Sequence, residues 1–180
     1  MVIRPPAGKN PYAGTSVPAD RSKAQITQLL RSYGVDGVLW VDNFATGEVQ
    51  LRFVVTRRDG TAVGFLVTPA AFRSKHREWN PIKGKSEERE VPDWARSLRL
   101  LYAWVKVKLE SIAYGLTTVE EEFLAQMVVR DGQGRETTAG RIVLPAIERG
   151  GGVLPIDGPR RGVVDGETGF STEEASTEGG

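Results

Sequence analysis

Between Arg73 and Arg99 the chain gathers Arg73, Lys75, Arg77, Lys83, Lys85, Arg89, Arg96 and Arg99, with Trp79 among them. These residue types suit binding of a nucleic-acid backbone. Lysine and arginine neutralise phosphates and release counterions, and an exposed aromatic ring can stack on a base. The same stretch holds Glu78, Glu87, Glu88 and Glu90, so a solvated segment of mixed charge is the competing reading.

No catalytic motif survives a test of its spacing. Gly84-Lys85-Ser86 ends like a phosphate-binding loop, but that loop needs a glycine five positions before Gly84, where Trp79 stands. Gly132 and Gly134 do not complete a dinucleotide fingerprint, because Thr137 takes the third position. His76 is the only histidine, and a surface role is its default over catalysis or metal binding. The absence of cysteine excludes disulfides and thiolate nucleophiles and fits a reducing cytoplasm. Glu110, Glu120, Glu121 and Glu122 could supply carboxylates for Mg²⁺. Three glutamates in the first turn of a helix are, however, what the helix dipole and a capping box favour. Lys108 lies at the margin of an apolar stripe, where it snorkels to water, pairs with a glutamate of the next helix or, as a third reading, serves as a functional amine of lowered pKa. These residues lead us to expect a non-catalytic protein with no cofactor and no metal.

The element that must position the basic set is the helical stretch that follows it. Trp94, Leu98, Leu101, Val105, Leu109 and Ile112 recur at i, i+3/i+4 spacing and form one apolar stripe. Leu100, Trp104 and Val107 make a second strip beside it, which predicts cover on two sides. Gly115 is the expected left-handed stop, with Leu116 folding back. Thr117-Thr118-Val119-Glu120 starts a new helix whose apolar side is Phe123, Leu124 and Met127, giving a helical hairpin or corner.

Upstream, residues 19–33 read as a short amphipathic helix, capped by Asp20 or Ser22 and ended by Gly34. Strands are expected at 37–42, 48–56 and 61–68, the last two joined by Asp59-Gly60. The fold class is therefore α+β: a three-stranded antiparallel meander packed under a long amphipathic helix and a helical hairpin. Residues 1–18 are expected to be a flexible arm, 19–149 a single domain with a long basic loop at 69–91, and 150–180 a disordered, glycine-rich acidic tail. Residues 131–134 read as a turn and 138–149 as a weak helix spoiled by Gly140 and Pro145. The net charge of +1 implies no partner, but its distribution does: beyond Arg161 the chain has acids and no bases. No apolar run approaches the ~18 residues of a membrane span, and no signal-peptide core precedes the fold, so no membrane partner is expected.

The order of these pieces resembles a family of small uncharacterised proteins encoded by phages and prophages. The matching residues are Tyr33-Gly34, Lys106-Val107-Lys108-Leu109-Glu110, Gly115 and Glu120-Glu121-Glu122-Phe123-Leu124, within residues 16–136. The resemblance implies a phage context, in the cytoplasm of an infected or lysogenic host or in the virion. It carries no assigned chemistry, and the glycine-rich C-terminal region departs from it. The first functional expectation is an accessory protein of nucleic-acid metabolism, with a basic loop that binds backbone and an acidic tail that competes for it. The second is a protein-interaction module, a virion component or host-directed inhibitor, using its helical surface. DNA, RNA and protein partners, and the oligomeric state, stay open at this point.

Overall fold

The computed structural model of the protein describes residues 12–43 and 45–149. Of the arm expected at residues 1–18, residues 1–11 lie outside the described residues, as does the tail at 150–180; within the described part Thr15 N donates to Tyr12 O at 3.2 Å. The chain runs α1 (Ala19–Ser32), β1 (Gly37–Asn43), β2 (Glu48–Thr56), β3 (Ala62–Val67), β4 (Arg73–Asn80), β5 (Lys85–Pro92), α2 (Trp94–Ala113), α3 (Val119–Glu122), a 3-10 turn (Leu124–Gln126), β6 (Val128–Arg130), β7 (Glu136–Thr138) and α4 (Ala139–Glu148).

The fold is α+β, built on the expected antiparallel meander in the order β1-β2-β3. Period two decides its two faces. Val49, Leu51 and Phe53 of β2, with Phe65 and Val67 of β3, are buried. Arg52 points the other way and pairs with Glu136 at 2.7 Å. Leu51 sits opposite Val67 and Phe53 opposite Phe65 in the register, so the apolar side chains align across the sheet. At the β2–β3 turn Asp59 Oδ1 accepts from Thr61 N at 2.8 Å, the local bond that makes Asp-Gly a hairpin signal.

Helices α1 and α2 cover the apolar face. Leu98, Leu101, Val105 and Leu109 of α2 are buried with Ile26 and Leu30 of α1, and Trp94 and Ile112 pack against them. That is the stripe the spacing predicts. The second strip is covered only in part. Trp104 meets Phe123 edge-on with centroids 5.6 Å apart, whereas Val107 is exposed. Phe123 also stands edge-on to Phe53 at 5.3 Å, so an aromatic cluster closes the end of the core.

Side-chain caps start α2 and α3 but neither α1 nor α4. Neither Asp20 nor Ser22 caps α1. Its N-cap is Pro18, and Ser22 is buried with its hydroxyl unpaired. At the end of α2 Gly115 takes φ +74°, and Leu116 N donates back to Ser111 O at 2.9 Å, as a left-handed stop requires. The Leu116 side chain, expected to fold back as well, is exposed. The capping box expected on Thr117–Glu120 forms one residue later, with Glu121 N donating to Thr118 Oγ1 at 3.2 Å and Thr118 N to Glu121 at 2.9 Å. The second arm of the corner is short, because Phe123 turns into the aromatic cluster and the chain goes on as a 3-10 turn. Val128 and Val129, β-branched, then enter strand β6. The turn expected at 131–134 joins β6 to β7, and the helix expected at 138–149 is α4. Gly140 is required there: a Cβ would stand 2.8 Å from Ala125 O.

The expected long loop at 69–91 is a correction. Residues 73–92 form a two-stranded antiparallel ribbon, β4 with β5, exposed along nearly all of its length. Neither face is apolar, so no hydrophobic alternation marks it. Pro81 and Gly84 are its turn. There Asn80 Oδ1 accepts from Ile82 N at 3.0 Å and Lys83 N at 3.2 Å, and Gly84 takes φ +60°.

Candidate nucleic-acid interface

The ribbon starts from a fixed base. Asp93 N donates to Phe72 O at 2.8 Å, so its two ends meet. Phe72 N reaches Ser97 Oγ at 3.3 Å, and Asp93 caps α2 by accepting from Arg96 N at 3.1 Å. The Arg96 guanidinium lies 3.8 Å over the Phe72 ring. The strands leave this junction and pair only with each other.

Strand alternation sorts the expected site residues by face. Arg73, Lys75, Arg77 and Trp79 share one face of β4. Across from them on the same face lie Pro92, Glu90, Glu88 and Ser86 of β5. The other face carries His76, Glu78 and Asn80 opposite Arg89, Glu87 and Lys85. Trp79 is 62% exposed and Ile82, at the turn, 94% exposed.

The glutamates are not scattered among the cations; they pair with them. Arg73 lies 3.8 Å from Glu90 and Lys75 3.3 Å from Glu88, both diagonal contacts across the strands. On the other face Arg89 lies 3.4 Å from Glu78. At the turn Lys83 donates to Glu87 at 2.9 Å, and Asn80 Nδ2 donates to the same carboxylate at 3.1 Å. The Lys83 ammonium, then the Asn80 amide, hold the Glu87 carboxyl below the usual range. Arg77 and Lys85 make no ion pair with the described residues.

Seven of the nine expected residues thus lie on the ribbon: Arg73, Lys75, Arg77, Trp79, Lys83, Lys85 and Arg89. Arg96 sits at its base. Arg99 is not brought to it. Its guanidinium donates to Gln25 of α1 at 2.8 Å and lies 4.6 Å from the Tyr102 ring centroid, so it ties α1 to α2 and is half-buried. Ile82 is the residue the sequence reasoning overlooked, since an apolar side chain at a turn had been given no role.

The other candidates resolve into structural tasks. Glu120 pairs with Arg57 at 2.7 Å, Glu121 completes the capping box, Glu122 pairs with Lys108 at 2.7 Å, and Glu110 pairs with Lys106 at 3.5 Å. No three of the described His, Asp and Glu residues come together as a metal site. Lys108 pairs with a glutamate of the next helix, one of its three expected roles. Its ammonium donates at 2.7 Å to both the carbonyl and the carboxylate of Glu122 and lies 4.7 Å from the Trp104 ring centroid. His76 faces Arg89, and Lys85-Ser86 begins β5 rather than a phosphate loop. No helix among the described residues is long and apolar enough to cross a membrane.

Comparison with known proteins adds no relative: no family model, no curated protein and no solved structure matches the chain.

Proposed function

We propose that the protein is a non-catalytic accessory protein of nucleic-acid metabolism, in a phage context, and that the β4–β5 ribbon is its binding element. One observation carries this reading. Arg73, Lys75, Arg77 and Trp79 alternate on one face of a ribbon that projects from the core. Successive cations there stand ~7 Å apart along an extended strand, and the ring at the end of the row is open to a base. A two-stranded ribbon also fits the major groove of a duplex. Arg77 and Lys85 are available at once, whereas the paired cations are held back by their glutamates. The acidic C-terminal residues compete for the same cations, so deleting residues 165–180 tightens binding, most at low salt.

The test is a shift assay of the full chain with single- and double-stranded DNA and RNA at two salt concentrations. Binding that falls steeply with salt supports the proposal. Absence of binding at low salt, with and without residues 165–180, overturns it.

A second reading is a protein-interaction module. Two observations favour it: four ion pairs neutralise much of the ribbon's charge, and Ile82 is almost wholly exposed at its tip. Each strand of the ribbon also keeps one open edge, to which a partner strand could add. Binding by this route responds little to salt.

A further inference from the structure

Helix α4 is pinned only at its first turn. Ala139 N donates to Met127 O at 2.9 Å, and Gly140 lies against Ala125. From Arg141 to the end of the helix every residue is exposed. Helical spacing puts Val143, Leu144 and Ile147 on the side that begins with Gly140, so an apolar stripe continues past the body of the protein, uncovered by any of the described residues. Leu144 is 59% exposed. A helix of ten residues is too short to persist in water on propensity alone, so cover for this stripe would stabilise it.

The charges on α4 indicate what covers it. Arg141 and Glu148 are seven residues apart and lie on the same flank of the stripe, about 10 Å apart along the axis. Neither has an ion-pair partner among the described residues. Two α4 helices packed antiparallel about a twofold axis set Arg141 of each against Glu148 of the other, while the apolar stripes meet between them. A parallel pair sets this flank against the opposite one, which carries Ala139 and Ala146, and makes no such ion pair. The surface is therefore complementary to itself in one orientation.

We propose that α4 is a self-association helix and that its partner is α4 of a second copy of this chain. The contact is small. Two ten-residue helices bury less than the ~800 Å² per partner of a standard interface. The dimer therefore forms at micromolar rather than nanomolar protein. Nothing in this inference depends on the ribbon or on its ligand.

The experiment is sedimentation velocity of the full chain from about 1 to about 500 µM, repeated on four variants. The wild type should pass from monomer to dimer across this range, and Leu144→Glu should stay monomeric, with the circular-dichroism spectrum that the wild type shows at its monomeric concentrations. Arg141→Glu and Glu148→Arg should each weaken the dimer roughly tenfold, since each loses two symmetric pairs and creates two repulsions. The double variant Arg141→Glu/Glu148→Arg should restore the wild-type constant. A monomer at every concentration overturns the proposal. So does a dimer indifferent to these substitutions, or one that the double variant fails to restore. A monomer whose melting temperature falls with Leu144→Glu would assign the stripe to contacts within one chain and would also overturn it.

Discussion

Replacing Glu88 and Glu90 together with Gln should strengthen nucleic-acid binding. On the Trp79 face of the ribbon Arg73, Lys75 and Arg77 are opposed by two carboxylates, Glu90 at 3.8 Å from Arg73 and Glu88 at 3.3 Å from Lys75. One cation is thus free for a phosphate without losing a partner, and the double substitution frees three. Gln keeps the size of the side chain and removes its charge. All four side chains are well exposed, so the pairs contribute at most ~1 kcal/mol each and the ribbon should persist. Each phosphate contact adds about 0.9 to the slope of log K against log salt. Over a fourfold change in salt, one contact is then worth about 3.5-fold in affinity and three about 40-fold. The advantage of the variant should therefore grow about twelvefold as salt falls from about 200 to about 50 mM. Fluorescence anisotropy with a labelled oligonucleotide at several salt concentrations reads this directly. Equal slopes for the two proteins, or weaker binding by the variant, would refute the assignment of these cations to phosphates.

Three further outcomes concern the scaffold. Leu101→Ala, in the core between α2 and the sheet, should lower unfolding free energy by ~2–5 kcal/mol in a denaturant titration; an unchanged midpoint would remove α2 as the lid of the sheet. Lys108→Ala should destabilise by about 1–3 kcal/mol, because the carbonyl and carboxylate of Glu122 both lose a donor in a partly buried site. Glu121 is held below the ordinary carboxylate range first by the Thr118 backbone amide, then by the Thr118 and Thr117 hydroxyls. A depressed folded-state pKa gives stability that is present above the unfolded value and is lost as pH falls through the folded one. The melting-temperature gap between wild type and Thr118→Ala should accordingly be full at neutral pH and shrink below about pH 4; a gap independent of pH would mean that the Glu121 charge has no part in the cap.

What the sequence made legible follows its periodicities. The alternation of Val49, Leu51 and Phe53 and the i, i+3/i+4 stripe from Leu98 to Leu109 each place one face in the core, and both elements lie where the pattern puts them. Asp59-Gly60 and Gly115 act through local bonds, so they too could be read without tertiary knowledge; the capping box was legible as a motif but not in its position, because Thr117 and Thr118 each have a glutamate three residues on and the chain uses Thr118. Elements without a hydrophobic face were opaque. The ribbon is polar on both sides, and its one signal was a period of two in charge, Arg73, Lys75 and Arg77, ending at Trp79. Strands β6 and β7, three residues each, are too short to display any period. At the candidate site the residue types were legible and their partners were not. Which glutamate neutralises which cation depends on strand register, and that register is fixed by the turn at Asn80 and the closure at Phe72 and Asp93.

The most direct test of the ribbon as the binding element is to remove it. Phe72 and Asp93 are already bonded across its base at 2.8 Å, so a short Gly-Ser link can replace residues 73–92 without disturbing Asp93 as the cap of α2. Anisotropy at about 50 mM salt, with single-stranded and duplex oligonucleotides, then compares this protein with the full chain. The account predicts binding by the full chain, its loss on excision, and an unchanged melting temperature. Binding that survives excision, or a full chain that binds neither oligonucleotide, would contradict it.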